Sequence, residues 1–167
     1  WKGEIAIMKE VLSKLSGKGG QIIFEYDIPR LGKRIDVVLL LDGIIFCVEF
    51  KVGESKILEM DVDQVLDYAL DLKNFHKFSQ DNLIVPILVA TNYRSSSTDI
   101  QMSIYDDRVV NPLVTGSAGV ANLICEVLKR FPNEQPVNSD WIISPYAPTP
   151  TIIEAAKALY ENHTGED

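Results

Sequence analysis

Apolar positions recur every three or four residues in "EIAIMKEVLSKL", where Ile5, Met8, Leu12 and Leu15 share one face. The spacing predicts an amphipathic helix over residues 4–15, stopped by the glycines of "GKGG" (17–20). The period then drops to two. In "QIIFEYDIP" Ile22, Phe24, Tyr26 and Ile28 alternate with Ile23, Glu25 and Asp27, a strand pattern ended by Pro29. The helical period returns over residues 60–76, through Val62, Val65, Leu66, Ala69, Leu72 and Phe75, and again over residues 119–131. Between them "NLIVPILVATNY" reads as a buried strand whose Pro86 argues for a sheet edge or a bulge. A polar loop, "RSSSTD", and a short strand near residues 108–110 follow it. Helix, three strands, helix, strand, short strand, helix is an α/β order.

The second and third strands come from "RIDVVLLLDGIIFCVEFKVG", an apolar ribbon that carries Asp36, Glu49 and Lys51. Asp42-Gly43 is a preferred pair for a two-residue type I′ turn, whose central residues both need positive φ. A turn that tight sets Leu41 against Ile44. Counting back along both strands brings Asp36 opposite Glu49 in a non-hydrogen-bonded pair, where side chains are closest, and Arg34 opposite Lys51. Alternation puts Asp36, Glu49 and Lys51 on one side of the ribbon. Like charges directly opposite each other cost roughly 0.2–1 kcal/mol, and more when desolvated. A divalent cation removes the conflict, because Mg²⁺ is commonly held by one or two carboxylates with water and substrate phosphate completing its shell. The alternative is a solvated face of an amphipathic sheet, with Lys51 as the ion-pair partner of the acids.

Asp36, an interval, then Glu49-x-Lys51 across a hairpin resembles the PD-(D/E)xK nuclease superfamily, with Ile35 standing where the signature has proline. The element order extends the resemblance over most of residues 1–131. It implies a restriction-endonuclease-like core, a central mixed β-sheet flanked by helices, and Mg-dependent hydrolysis of DNA phosphodiesters. "QVLDY" sets Gln64 and Tyr68 one helical turn apart and resembles the Gln-x-x-x-Tyr motif of RecB-type nucleases, whose residues lie beside the metal site. The alternative for these two is an exposed polar residue and a half-buried aromatic. The superfamily often draws a further acid from the first helix. Glu4 shares a face with Met8, Val11 and Leu15, whereas Glu10 pairs with Lys14 on the solvent side. The resemblance thus implies that Asp36, Glu49, the main-chain carbonyl of Phe50 and Glu4 hold Mg²⁺, or Mn²⁺ in its place. Lys51 would orient the attacking water and stabilise charge on the phosphate, with Gln64 and Tyr68 completing the catalytic set.

Composition adds constraints on partners. With 167 residues, 46% hydrophobic, the chain is long enough for one domain with a sizeable core. Its apolar runs are too short to span a bilayer as a helix and no signal peptide opens it, so a cytoplasmic protein is expected. Cys47 and Cys125 have no C-x-x-C or Cys/His pairing and read as reduced thiols. The net charge is −8 with no Lys/Arg-rich block, whereas proteins that grip DNA phosphates usually present a basic face. DNA affinity is then expected from metal, a few local cations or an attached module. The first residue is Trp1, which suggests a fragment.

"WIISPYAPTPTIIEAAKALYENH" (141–163) resembles the segment that leads from a nuclease-like N-terminal domain into a superfamily-one helicase-type ATPase in a family of bacterial proteins. That implies a nuclease-like domain over 1–135, a Pro-rich connector and helix over 136–167, and a C-terminal ATPase/helicase module as partner, in DNA processing or phage defence. The competing expectation is a catalytically silent nuclease-like fold used as a nucleic-acid-binding or regulatory module. Other motifs fall away. "VTGSAG" lacks the Gly-Lys-Ser/Thr of a phosphate loop. His76 ends a helix, where a cation suits the dipole, and His163 lies in the tail; neither has a metal-ligand partner at a recognised spacing. Ser95 to Ser97 have no nearby His or acid pattern for nucleophilic catalysis.

Overall fold

The computed structural model describes residues 2–15, 19–29, 32–94, 101–148 and 150–164; Gly17 and the serines at 95–97 lie outside them. In chain order the elements are α1 (Lys2–Lys14), β1 (Gly20–Ile28), β2 (Lys33–Leu41), β3 (Ile44–Lys51), α2 (Glu59–Phe75), β4 (Leu83–Ala90), β5 (Leu113–Thr115), α3 (Val120–Arg130) and α4 (Pro150–Thr164). The strands form one five-stranded sheet in the order β1-β2-β3-β4-β5. β1, β2 and β3 run antiparallel, whereas β3, β4 and β5 run parallel. β3 is therefore the seam of a mixed sheet. Met8 and Val11 of α1 and Val120, Ile124 and Val127 of α3 cover one face. Tyr68, Ala69 and Leu72 of α2, with Trp141, cover the other. The fold is α/β, an open mixed sheet flanked by helices.

β4 is apolar from end to end because it is buried on both faces, as parallel strands between helix layers are. Pro86 nonetheless lies inside it, opposite Cys47 of β3, and not on an edge strand. The pattern of its neighbours explains this. Ile84 receives a bond from Val110 N–H and donates to the Arg108 carbonyl, and residues two apart on a strand face the same neighbour. The N–H that Pro86 lacks would thus point toward the β5 side, where pairing is interrupted between Ile84 and Ile87. The short strand expected near residues 108–110 is reduced to single bridges from Val109 to Ile84 and from Val110 to Ile104. Arg108 has φ +65°, which turns the chain, and regular pairing resumes only at Leu113.

β1 breaks its own alternation. Ile22 and Phe24 pack on the α1/α3 face, but Tyr26 and Ile28 pack on the α2 face. In β2, Val37, Leu39 and Leu41 keep the first face while Ile35 takes the second. Both strands invert at the same level, where Glu25 adopts φ +54° and the Glu25/Asp36 pair is missing from an otherwise continuous ladder. Asp36 sits at that break.

The segment after Pro136 packs back onto the sheet before α4 begins. Trp141 is fully buried among Tyr26 and His76, with ring centroids 4.8 and 4.3 Å away. Its indole N–H donates to Ser79 Oγ at 2.8 Å, and the same oxygen lies 2.8 Å from His76 Nδ1. Ser79 Oγ accepts the indole proton and also touches the imidazole, and it is burial that favours the neutral ring. His76 does end α2, but not as a cation for the dipole: burial pushes it down to about 4. Its unfolded form titrates near 6.5, so stability is complete above that pH and is lost as pH falls from 6.5 toward 4. The expected loss is roughly 3 kcal/mol. Urea unfolding of the wild type and His76→Gln across this range should give a flatter profile for the variant; parallel profiles would refute it. Cys47 and Cys125 are free thiols. Among the described residues no helix is long and apolar enough to cross a membrane.

Candidate metal and phosphate site

The hairpin turn has the geometry its residues predict: Asp42 and Gly43 take φ +50° and +81°. Leu41 pairs with Ile44 and the ladder runs in step to Val37 against Val48. The regular ladder ends there; Asp36 and Glu49 lie one step beyond it, with their carboxyls hydrogen-bonded to each other. Asp36 Oδ2 accepts the Phe50 N–H at 2.9 Å. Because a strand residue sends its N–H and C=O to the same edge, the Phe50 carbonyl also faces β2. Glu49 is only 6% exposed, and its Oε2 is buried without a hydrogen-bond partner. Burial, reinforced by the hydrogen bond and charge of Asp36, pushes its carboxyl up to about 9. In the metal-free protein at neutral pH Glu49 therefore keeps its proton.

Lys51 projects from the same face of β3 as Glu49, two residues on. Its Nζ lies 3.3 Å from Gln64 Oε1 and 3.7 Å from Asp61 Oδ1, both on α2. Among the described residues its ion pair is with Asp61 and not with Asp36 or Glu49. With Glu49 buried as well, the hairpin is not the solvated face that the simpler reading of the sequence required. The end of β3 is tied down by its neighbours: Thr91 N–H donates to the Lys51 carbonyl at 3.1 Å, and Gly53 N–H donates to Thr91 Oγ1 at 2.7 Å. Gly53 has φ +80°, which lets the chain turn there toward α2.

Tyr68, one turn beyond Gln64, is 3% exposed. Burial, then Glu49 and Asp36, push its phenol up to about 12. It lies within the field of the acid pair. Glu4 is raised by burial and then by Asp36, so α1 brings a third carboxylate into electrostatic range from the opposite sheet face. Glu10 pairs with Lys14 at 3.4 Å, as its spacing predicts. Arg34 does not remain beside Lys51. Past the inversion it bonds Asp27 Oδ1 at 2.8 Å and lies 3.8 Å from Glu25.

A groove of about 680 Å³ opens along α2 from this cluster, with Lys51, Asp61, Gln64 and Tyr68 at the site and Lys33 and Phe75 farther along. Asp61 is the site neighbour that sequence reasoning missed. Its signal was present, since residues 61, 64 and 68 stand at i, i+3 and i+7 on one helical face.

Among the described residues no three His, Cys, Asp or Glu side chains converge as a ligand set. The oxygen donors at hand are the two carboxylates and the Phe50 carbonyl. Oxygen donors of this kind are ones a hard cation accepts, and Glu49 Oε2 has no hydrogen-bond partner. Comparison of the chain with protein-family models, curated proteins and solved structures finds no match. The class that fold and geometry define is an α/β protein with a buried glutamate on the seam strand of its sheet and a half-buried aspartate beside it.

Proposed function

We propose that the chain is a metal-dependent DNA nuclease domain that hydrolyses phosphodiester bonds, within a larger protein whose helicase-type ATPase module serves DNA processing or phage defence. The observation that carries this reading is the buried Glu49 carboxylate, one oxygen unpartnered, set against Asp36. At neutral pH such an arrangement lowers stability, a cost that a bound cation would offset. When bound, Mg²⁺ or Mn²⁺ polarises the phosphate and lowers the pKa of the attacking water. Asp36 and Glu49 would hold it, and the Phe50 amide fixes the Asp36 carboxylate through its hydrogen bond. Lys51 stabilises negative charge developing on the phosphate oxygens. Gln64 holds the Lys51 amine, and Tyr68 keeps its proton and so adds no further charge beside the acids.

The test is cleavage of single- and double-stranded DNA in Mg²⁺ or Mn²⁺ by the wild type and Asp36→Ala, with metal binding followed by calorimetry. Metal-dependent cleavage that disappears in Asp36→Ala is expected. Cleavage that survives the substitution would discard the site. A second reading, a silent nuclease-like fold acting as a nucleic-acid-binding or regulatory module, is favoured by the net charge of −8. It wins if the full-length protein neither binds metal nor cuts DNA.

A further inference from the structure

Lys51 stands between two attractions. On one side is the acid pair two residues back along its own strand; on the other are Asp61 and Gln64 on α2. A lysine has a flexible four-carbon stem, so its ammonium goes where the field and the hydrogen bonds are best. Left to the hairpin alone, the amine would settle against Asp36 and Glu49 and occupy the place of a cation. Instead the Lys51 backbone is pinned through Thr91, and the amine reaches Asp61 Oδ1 and Gln64 Oε1. The Asp61 side chain is 16% exposed and that of Lys51 31%, so their attraction is only partly screened by solvent.

We propose that Asp61 is a positioning residue that holds the Lys51 ammonium off the Asp36–Glu49 pair, keeping that pair open to a divalent cation and the amine free to meet the phosphate. This inference rests on the nuclease reading. It differs from the ordinary role of an acid in a first helical turn, which is to complement the helix dipole. Glu59 shares that turn and is exposed, and among the described residues the ion pair of Lys51 is with Asp61 and not with Glu59, so it serves as the control.

The experiment is calorimetric titration of Mg²⁺ and Mn²⁺ into the wild type, Asp61→Asn, Glu59→Gln, Lys51→Ala and the double variant Asp61→Asn/Lys51→Ala, with thermal melts as a check on folding. Loss of the tether is expected to weaken metal binding about tenfold in Asp61→Asn, in the range seen when outer-shell partners are removed. Glu59→Gln should bind as the wild type does. The double variant should bind as tightly as Lys51→Ala, because the competitor is gone. Turnover of Asp61→Asn at saturating metal should fall with KM for DNA unchanged, and Asp61→Glu should recover part of both effects. Equal metal affinity in the wild type and Asp61→Asn overturns the proposal alone, as does a double variant no tighter than Asp61→Asn. Absence of both metal binding and DNA cleavage by the full-length wild type overturns the nuclease reading and this inference with it.

Discussion

Replacing Lys51 by alanine is expected to lower metal-dependent DNA cleavage by about 10²–10³-fold, the range found when one preorganised donor to a transition-state charge is removed. Metal affinity should not fall, because the variant keeps both carboxylates and loses a nearby positive charge. The loss should therefore appear at saturating metal, in single-turnover rates. Lys51→Arg should recover little of the rate: its planar fork replaces a compact ammonium at a position fitted to Asp61 and Gln64. An alanine variant with wild-type rates would exclude the lysine from the chemistry and leave the acid pair to be explained without it.

The second large effect concerns stability and has the opposite sign. Glu49→Gln is expected to make the metal-free protein more stable at pH 7, by roughly 3 kcal/mol. The folded protein keeps the Glu49 proton up to about pH 9, whereas the unfolded chain releases it near 4.5. A carboxyl raised in this way costs nothing below 4.5, and it lowers stability progressively as pH rises from 4.5 to 9. Glutamine matches the protonated acid in shape and never ionises, so the variant should lose that pH dependence. Urea unfolding at pH 5, 7 and 9 measures it directly, with the two proteins converging at pH 5 and parting at pH 7 and 9. Equal stability at all three would mean that Glu49 is not desolvated as its burial implies. The same substitution should weaken metal binding, which makes Glu49 a residue retained at a cost to folding.

What the sequence disclosed follows the range of the interactions involved. The β2–β3 register was legible because Asp42-Gly43 fixes it locally, and counting points to the approach of Asp36 to Glu49 one step past the last ladder pair. The face of α2 that carries Gln64 and Tyr68 was legible from helical spacing. The inversion at Glu25 was not, since glutamate carries no signal for a left-handed φ and the inversion exists only where two strands turn together. Nor could Pro86 reveal its place: that depends on a gap in β5, a strand itself set by nonlocal pairing. The docking of Trp141 rests on a serine 62 residues away. Asp61 stood in plain view at the right spacing, but its importance depends on where the Lys51 amine points, and that is a tertiary fact.

The inversion in β1 also bears on how the molecule behaves in a crowd. β1 is an edge strand of nine residues, rich in Ile and Phe, and a straight edge of that kind invites another chain to add on. The half-turn at Glu25 divides it into two short stretches whose side chains point to opposite faces, so an incoming strand in register with one is out of register with the other. The same backbone irregularity that sets Asp36 at the break thereby shortens the regular stretch that the open border offers to another chain.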